Sequence, residues 1–389
     1  MSETRVYLDH AATTPTAPEV IEASGEAAAS CFGNPSSSHR FGREAKRRLE
    51  DAREFLRGSV GASRLVLCSG GTEADLLGVV GAAFARAPGR VLVGASDHPA
   101  VRTLRALLAT RRHELVEVPV TEHGDVAPET LFDRLGADVR VVAILHGHNE
   151  LGTLPALAEQ VELVRRVAPE AHVHVDLVQA YGKLDFDLDL ADVDSVAVSA
   201  HKLNGPRGVG FLALSSKAQL AALHPAGGQE DGLRGGTENV AGAVGFACAA
   251  ELALTGLAQR AAHTAALAAL AFDEIASAVP GVTRLGHPTR RLPHILSLRL
   301  PGLVGQSLQQ RCDERGVAFS VGAACHGSGD GENPVLRAIG LERQAAREVI
   351  RLSFGATTTR DEVLAATRIL VEEARALLAM APRRERTAP

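Results

Sequence analysis

The sequence predicts an α/β fold: a large domain on a seven-stranded, mostly parallel sheet, joined to a smaller α+β C-terminal domain. Two patterns carry that expectation. From about residue 45 to 215, short runs rich in Val, Leu and Ile alternate with longer Ala/Leu/Glu/Arg segments of helical period, as when helices cover both faces of a parallel sheet. From about residue 237 the composition shifts to an Ala-rich helical stretch, and the remainder mixes short strands and helices.

The strands expected in the first part are 64–68, 90–93, 115–118, 139–145, 172–175, 195–198 and 209–214, with helices at 74–86, 100–110, 128–135 and 156–168. An open sheet of this kind binds its ligands where loops leave the carboxyl ends of the strands. The Ala-rich stretch over 237–278 is long enough to bridge two domains, with the main boundary near residue 260. Beyond it, strands are expected at 294–299 and 318–321, and helices at 305–315, 334–339, 345–348 and 360–380. The expected division gives 15–260 to the large domain, 1–14 and 261–380 to the small one, and 381–389 to a charged tail.

Composition narrows the function. The 389 residues carry a net charge of −5 with no basic block in the body, which gives no footprint for nucleic acid or an anionic membrane. Eleven Phe, two Tyr and no Trp supply few stacking platforms, so a small molecule is the expected partner. No apolar run approaches the roughly 18 residues that span a bilayer, and the N-terminus lacks a basic segment followed by an apolar core, so a soluble, cytoplasmic protein is expected. Cys31, Cys68, Cys248, Cys312 and Cys325 are scattered without a C-x-x-C pair, which argues against a disulfide framework.

The chemistry concentrates in a few segments. Ser199-Ala200-His201-Lys202 places a lysine at a strand end, and His174-Val175-Asp176 places a carboxylate at the end of a preceding strand. A lone lysine leaving a strand is ordinarily a solvated charge. Converging with Asp176 in one crevice, Lys202 has the makings of a Schiff-base site: pyridoxal phosphate needs a lysine amine and a carboxylate against its pyridine nitrogen. Cys68-Ser69-Gly70-Gly71-Thr72-Glu73 reads as strand, glycine turn and helix cap, a form that turns backbone N–H groups toward a phosphate.

With these residues in place, the chain resembles the cysteine desulfurase and selenocysteine lyase group of class-V, fold-type I pyridoxal-phosphate enzymes. The resemblance runs in order through Tyr7-Leu8-Asp9-His10-Ala11-Ala12-Thr13, Phe32-Gly33-Asn34-Pro35-Ser36, Gly70-Gly71-Thr72-Glu73, Asp97-His98-Pro99-Ala100, His148-Asn149-Glu150, Asp176-Leu177-Val178-Gln179, His201-Lys202, Arg234-Gly235-Gly236-Thr237-Glu238-Asn239, Ala323-Ala324-Cys325-His326 and Arg351-Leu352-Ser353. It implies that Lys202 holds the cofactor and moves a proton at the substrate Cα. Asp176 then pairs with the ring nitrogen, Gln179 bonds the ring hydroxyl and His98 stacks on the ring, available as an acid/base. The cradle of Gly71, Thr72, Ser199 and His201 receives the phosphate, joined by Thr237 across a homodimer interface. Asn149, Arg351 and Asn34 are the implied substrate contacts. Cys325, in a glycine-rich polar loop, is the implied nucleophile, which takes sulfur from cysteine as a persulfide and passes it to a sulfur-acceptor protein. Any one cysteine is ordinarily a small buried residue, and Cys68 is expected to be one.

Alternatives stay open from the sequence. The text around Cys325 is closer to that of selenocysteine lyases, whereas Pro99 stands where desulfurases often carry Lys and the selenium-selective enzyme Asp. Other fold-type I lyases and aminotransferases share the cofactor without needing the thiol. The alternation of His172, His174 and Asp176 on one strand, and of His146 and His148 on another, admits a metal reading, but that leaves Lys202, Thr72 and Arg351 unexplained.

Overall fold

The structure is a computed structural model, and it describes residues 5–185, 192–224, 227–322 and 333–380. The chain starts with a short strand, β1 (Val6–Tyr7), and two helices, Pro18–Ser30 and Arg40–Ser59. Seven strands follow: β2 (Arg64–Cys68), β3 (Arg90–Gly94), β4 (Glu114–Val118), β5 (Val139–Leu145), β6 (His172–Asp176), β7 (Ser195–Ser199) and β8 (Gly210–Leu214). They form one sheet in the order β2-β8-β7-β6-β5-β3-β4, parallel throughout except for β8, which runs against both of its neighbours. The mostly parallel sheet expected from the sequence is therefore present.

The strand middles explain the register. Every residue of β6, β7 and β8 is buried, as covering helices on both faces require. Val196 and Val198 have no exposed surface, and burying such a side chain contributes about 1.5–3 kcal/mol. A slip of one residue would turn each side chain to the opposite face, so the apolar run fixes which residue ends the strand. In β7 that residue is Ser199, which pairs with Gly210 of β8; Gly210 in turn pairs with Cys68 of β2. Gly210 admits the close approach, since a Cβ there would lie 2.7 Å from the Gly70 carbonyl carbon.

Several elements differ from the expected ones for local reasons. The helix expected over 74–86 begins earlier and is interrupted: Gly71–Leu76 is α-helical, Leu77–Gly81 forms a π turn, and Ala82–Phe84 resumes the α-helix. The His174 ring packs against this turn at Gly78, where a Cβ would lie 2.4 Å from its Nδ1. The helix expected over 100–110 is two short helices, Pro99–Arg102 and Arg105–Ala109. The Ala-rich stretch divides into Val240–Leu254 and Leu257–Ala278, bent by 75° with Gly256 at φ +73° between them. Among the described residues no single helix is long and apolar enough to cross a membrane.

The last part of the chain adds β9 (Thr283–Arg284), β10 (Ile295–Arg299), β11 (Val317–Ala318), β12 (Ser320–Val321) and β13 (Val349–Ser353). The single strand expected at 318–321 is thus two. β11 pairs with β1, while β12 joins an antiparallel sheet in the order β12-β13-β10-β9. A helix expected at 345–348 lies instead at Arg343–Ala346, and a turn over 347–348 leads from it into β13. Val6 and Leu8 pack in one buried cluster with Leu296, Ile350 and Leu352, so the first residues of the chain join the last part. The segment after them, beginning with a bridge between Asp9 and Ser353, runs back toward the large sheet.

Candidate active site

A cavity of about 220 Å³ opens at the carboxyl ends of β2, β3, β5, β6 and β7. Of the residues expected to act in the site, Gly71, Thr72, His98, Asn149, Asp176, Gln179, Ser199, His201 and Lys202 all line it. They come from five separate stretches of sequence, brought together because the parallel strands end on one edge. Asp75, Leu145 and Val178 complete the lining.

Lys202 closes the 3-10 turn Ala200–Lys202 that follows β7. Its Nζ donates to the backbone oxygens of Ala11 (2.7 Å) and Ala12 (2.8 Å). Gln179 Nε2 donates to the same Ala11 oxygen at 2.9 Å, and His201 Nδ1 lies 3.0 Å from Thr13 Oγ1. The N-terminal segment is therefore one wall of the cavity, and it holds the lysine in place through neutral acceptors.

Asp176 ends β6 and is buried, its Oδ1 accepting from the Val178 N–H at 2.8 Å. Burial, reinforced by the nearby Asp75, pushes its carboxyl up to about 8. Asp75 is itself buried and pushed up to about 8 by desolvation, with Oδ1 3.1 Å from His174 Nε2. His174 Nδ1 and His172 Nε2 share the Ser195 hydroxyl, at 2.8 and 2.7 Å. The histidines that alternate with Asp176 are thus tied into a buried hydrogen-bonded chain behind the site. Among the described residues, no group of three or more His, Cys, Asp or Glu could hold a metal ion.

His98 caps the helix Pro99–Arg102, its Nδ1 accepting from the Ala100 N–H at 3.1 Å. Burial, with Lys202 nearby, lowers its pKa to about 4, so the ring is neutral at pH 7 and carries its proton on Nε2. Gly71 is needed at the opposite wall, where a Cβ would lie 2.7 Å from Val178 Cγ2. Ser199 Oγ is buried without a hydrogen-bond partner among the described residues, beside Gly70 and Gly71. An orphaned hydroxyl over a glycine turn and a buried carboxyl without a cation are the two ends that a phosphorylated, pyridine-bearing cofactor would satisfy.

Arg351, in the middle of β13, reaches the edge of this cavity. Its Nη1 donates to the Asn149 backbone oxygen at 2.7 Å, and its Nη2 donates to Asp9 Oδ1 at 2.7 Å and to Ser320 Oγ at 3.0 Å. Its Nε is buried and unpartnered among the described residues, so the guanidinium keeps a donor for an incoming carboxylate. Asn34 and Thr237 do not line the cavity of this chain. Both are exposed, and Asn34 Oδ1 accepts from the Ser36 N–H at 2.9 Å. Cys325 lies outside the described residues. Cys68 is a buried strand-end residue whose thiol is pushed well up by burial, and Cys31 and Cys312 are buried as well.

Asp75 and Asp9 were not singled out from the sequence as site residues. The signal for Asp75 was its spacing, since it lies three residues after Thr72 on one face of the helix Gly71–Leu76. Asp9 stood in the Tyr7-Leu8-Asp9-His10 run that carries the resemblance, but nothing in the sequence linked it to its partner Arg351, 342 residues away.

The chain's likeness to known proteins covers nearly all of it. The class-V aminotransferase family profile matches residues 6–365. A cysteine desulfurase of Frankia sp. (strain EuIK1) is 38% identical over 389 residues, covering 96% of this chain and 91% of that protein. The putative cysteine desulfurase IscS 1 of Bacillus subtilis (strain 168) is 35% identical over 369 residues, covering 94% of this chain and 97% of that protein. Among solved structures, a NifS-like protein superposes with a TM-score of 0.88 at 31% identity, covering 97% of this chain and all of that one. A structure of SspA in complex with cysteine gives a TM-score of 0.77 at 26% identity, over 91% of this chain and all of that one. By fold, sequence and the extent of both, the chain belongs to the class-V aminotransferase family, within its cysteine desulfurase group.

Proposed function

We propose that the protein is a pyridoxal-phosphate-dependent cysteine desulfurase, which converts L-cysteine to L-alanine and transfers the sulfur to the Cys325 thiol as a persulfide. The observation that carries this reading is the convergence of Lys202, Asp176 and the orphaned Ser199 hydroxyl on one cavity whose edge holds Arg351. The overall step balances: L-cysteine and the enzyme thiol give L-alanine and the enzyme persulfide, with no external oxidant.

Pyridoxal phosphate, when bound, supplies an aldehyde for the amine and a ring that accepts the electrons left at Cα. Thr72, Ser199 and His201 are the residues to hold its phosphate, with Thr237 of the partner subunit if the protein is a homodimer. Asp176 is suited to the ring nitrogen because a buried carboxylate is costly alone and favourable beside a cation. Lys202 takes the proton from Cα, since its Nζ stands at the mouth of the turn, held by the neutral backbone oxygens of Ala11 and Ala12. His98, neutral with its proton on Nε2, can donate it to the substrate side. Arg351 and Asn149 orient the substrate carboxylate, which sets the bond to Cα proton relative to Lys202. Cys325 attacks the substrate sulfur as a thiolate.

The test is alanine formation from L-cysteine and from L-selenocysteine by the cofactor-loaded protein and its Cys325→Ala variant. Turnover of cysteine that disappears in the variant is the expected result. Turnover of selenocysteine with little from cysteine would make the protein a selenocysteine lyase, the reading favoured by the text around Cys325. Full turnover of a different amino acid by the variant would remove desulfuration altogether.

A further inference from the structure

A second cavity, of about 400 Å³, lies along the same N-terminal segment. In the first cavity Ala11 and Ala12 of that segment accept from Lys202 and Gln179, and Thr13 Oγ1 meets His201 Nδ1, while Pro15 to Glu19 line the second. Leu203 and Asn204, immediately beyond Lys202, line it too, as do Ala253 and Arg260 on either side of the bend at Gly256. Arg351 and Asn149 are not on its walls, so it is separate from the substrate cavity.

Three basic side chains face this space without an acidic partner among the described residues. Lys183 Nζ has no acceptor among the described residues. Arg260 donates from Nη2 to the backbone oxygens of Ala253 and Thr255, but its Nε is buried and unpartnered. His294 is 1% exposed, and neither of its ring nitrogens has a partner among the described residues. The carboxylate on the lining, Glu19, is exposed and forms no ion pair among the described residues. Burial and the neighbouring Arg260 and Lys202 push Lys183 down to about 8, and burial lowers Arg260.

Two half-buried cations side by side, with an orphaned imidazole completing the arc, oppose folding unless something compensates them. Water could satisfy the imidazole, but it neutralises neither cation. An apolar lining would serve a purely structural void better. The cavity's volume also falls in the range of small-molecule pockets, about 300–1,000 Å³. We infer that this cavity is a binding site for a small oxyanion, a phosphate- or carboxylate-bearing metabolite, held by Lys183, Arg260 and His294. The neutral His294 ring donates one N–H, while Lys183 and Arg260 supply charge-assisted hydrogen bonds.

The experiment is calorimetric titration of the protein with pyridoxal phosphate present, so that the phosphate cradle of the first cavity is filled. Inorganic phosphate and malonate are titrated separately, with and without saturating cysteine. One site per chain that survives saturating cysteine is expected for at least one anion, and which anion binds identifies the source of the oxyanion. Lys183→Met and Arg260→Met should each weaken it about tenfold or more, the loss expected for a charge-assisted hydrogen bond.

A second readout separates binding from a structural role. The groups facing Lys183 are Arg260, Lys202, His10 and His294, with Glu19 at the rim, and an anion would raise its pKa again. Binding near pH 8 should therefore take up a proton, seen as an enthalpy that changes with the buffer's ionisation enthalpy. Lys183→Arg should keep the binding and lose the proton uptake, because arginine stays charged, and it serves if Lys183→Met fails to fold. Failure of both anions to bind at millimolar concentration would overturn the site, as would binding that Lys183→Met and Arg260→Met leave unchanged.

Discussion

The proposed cofactor side of the cavity and its proposed substrate side are built by different means. On the cofactor side, Asp176, Ser199 and Lys202 sit at or just past strand ends of the large sheet, where the backbone of each turn fixes the side chain's direction. On the substrate side, Arg351 lies in mid-strand in another sheet, and side-chain bonds to Asp9 and Ser320, with the Asn149 carbonyl, aim it. The first side should therefore respond mainly to loss of its own functional groups. The second should respond also to loss of their supports.

The largest effect tests the first half of that contrast. Lys202→Ala removes the group assigned to proton transfer, and alanine formation should fall by about 10²–10⁴-fold or more. Its neighbours' geometry should be retained, since the turn's bonds are backbone ones: Leu203 N–H to the Ala200 oxygen at 3.0 Å and Gly205 N–H to the same oxygen at 2.9 Å. Substantial residual turnover would remove Lys202 from its role.

Arg351→Lys should come next. A single ammonium cannot bond the Asn149 oxygen, Asp9, Ser320 and a substrate carboxylate from one fork. Loss of one charge-assisted bond, about 1.5–3 kcal/mol, predicts a rise in KM of about tenfold to a hundredfold. Asp9→Asn sharpens the comparison, because it leaves Arg351 in place and removes only its charged support. It should raise KM by a smaller factor while kcat holds, whereas Ser199→Ala, on the other side, should weaken cofactor affinity and leave KM for cysteine alone. Equal effects of these two variants on KM would erase the distinction between the sides.

The same contrast explains what the sequence could and could not disclose. Asp176, Ser199 and Lys202 were legible because apolar runs end at them, so strand periodicity and chemistry point to the same positions. β13 went unread because Arg351 interrupts Val349-Ile350 and Leu352, and a buried arginine in a five-residue run looks like a loop or a helix start until its partner at Asp9 is known. The π turn at Leu77–Gly81 was invisible for a related reason: it accommodates His174, which lies about a hundred residues on in the chain. Local pattern thus yields elements and strand ends, while contacts between distant segments, such as Asp75 with His174, leave no periodic trace.

The smallest expected effect concerns Asp75, whose place between Asp176 and His174 is the least legible feature of the site. Its carboxyl and that of Asp176 are both pushed up to about 8, chiefly by burial. A carboxyl whose pKa is raised on folding stabilises the native state fully below its unfolded value, near 4, and that contribution is lost as pH rises through about 8. The cofactor-free protein should therefore lose melting temperature between about pH 4 and 8 and level off above that. Asp75→Asn removes one of the two titrations and the repulsion it exerts on Asp176, so its decline over the same range should be shallower by a few degrees, with the cofactor-loaded protein changing less than the cofactor-free one. Melting curves of both proteins across that range decide it, and parallel declines would mean that Asp75 is not held protonated behind the cofactor carboxylate.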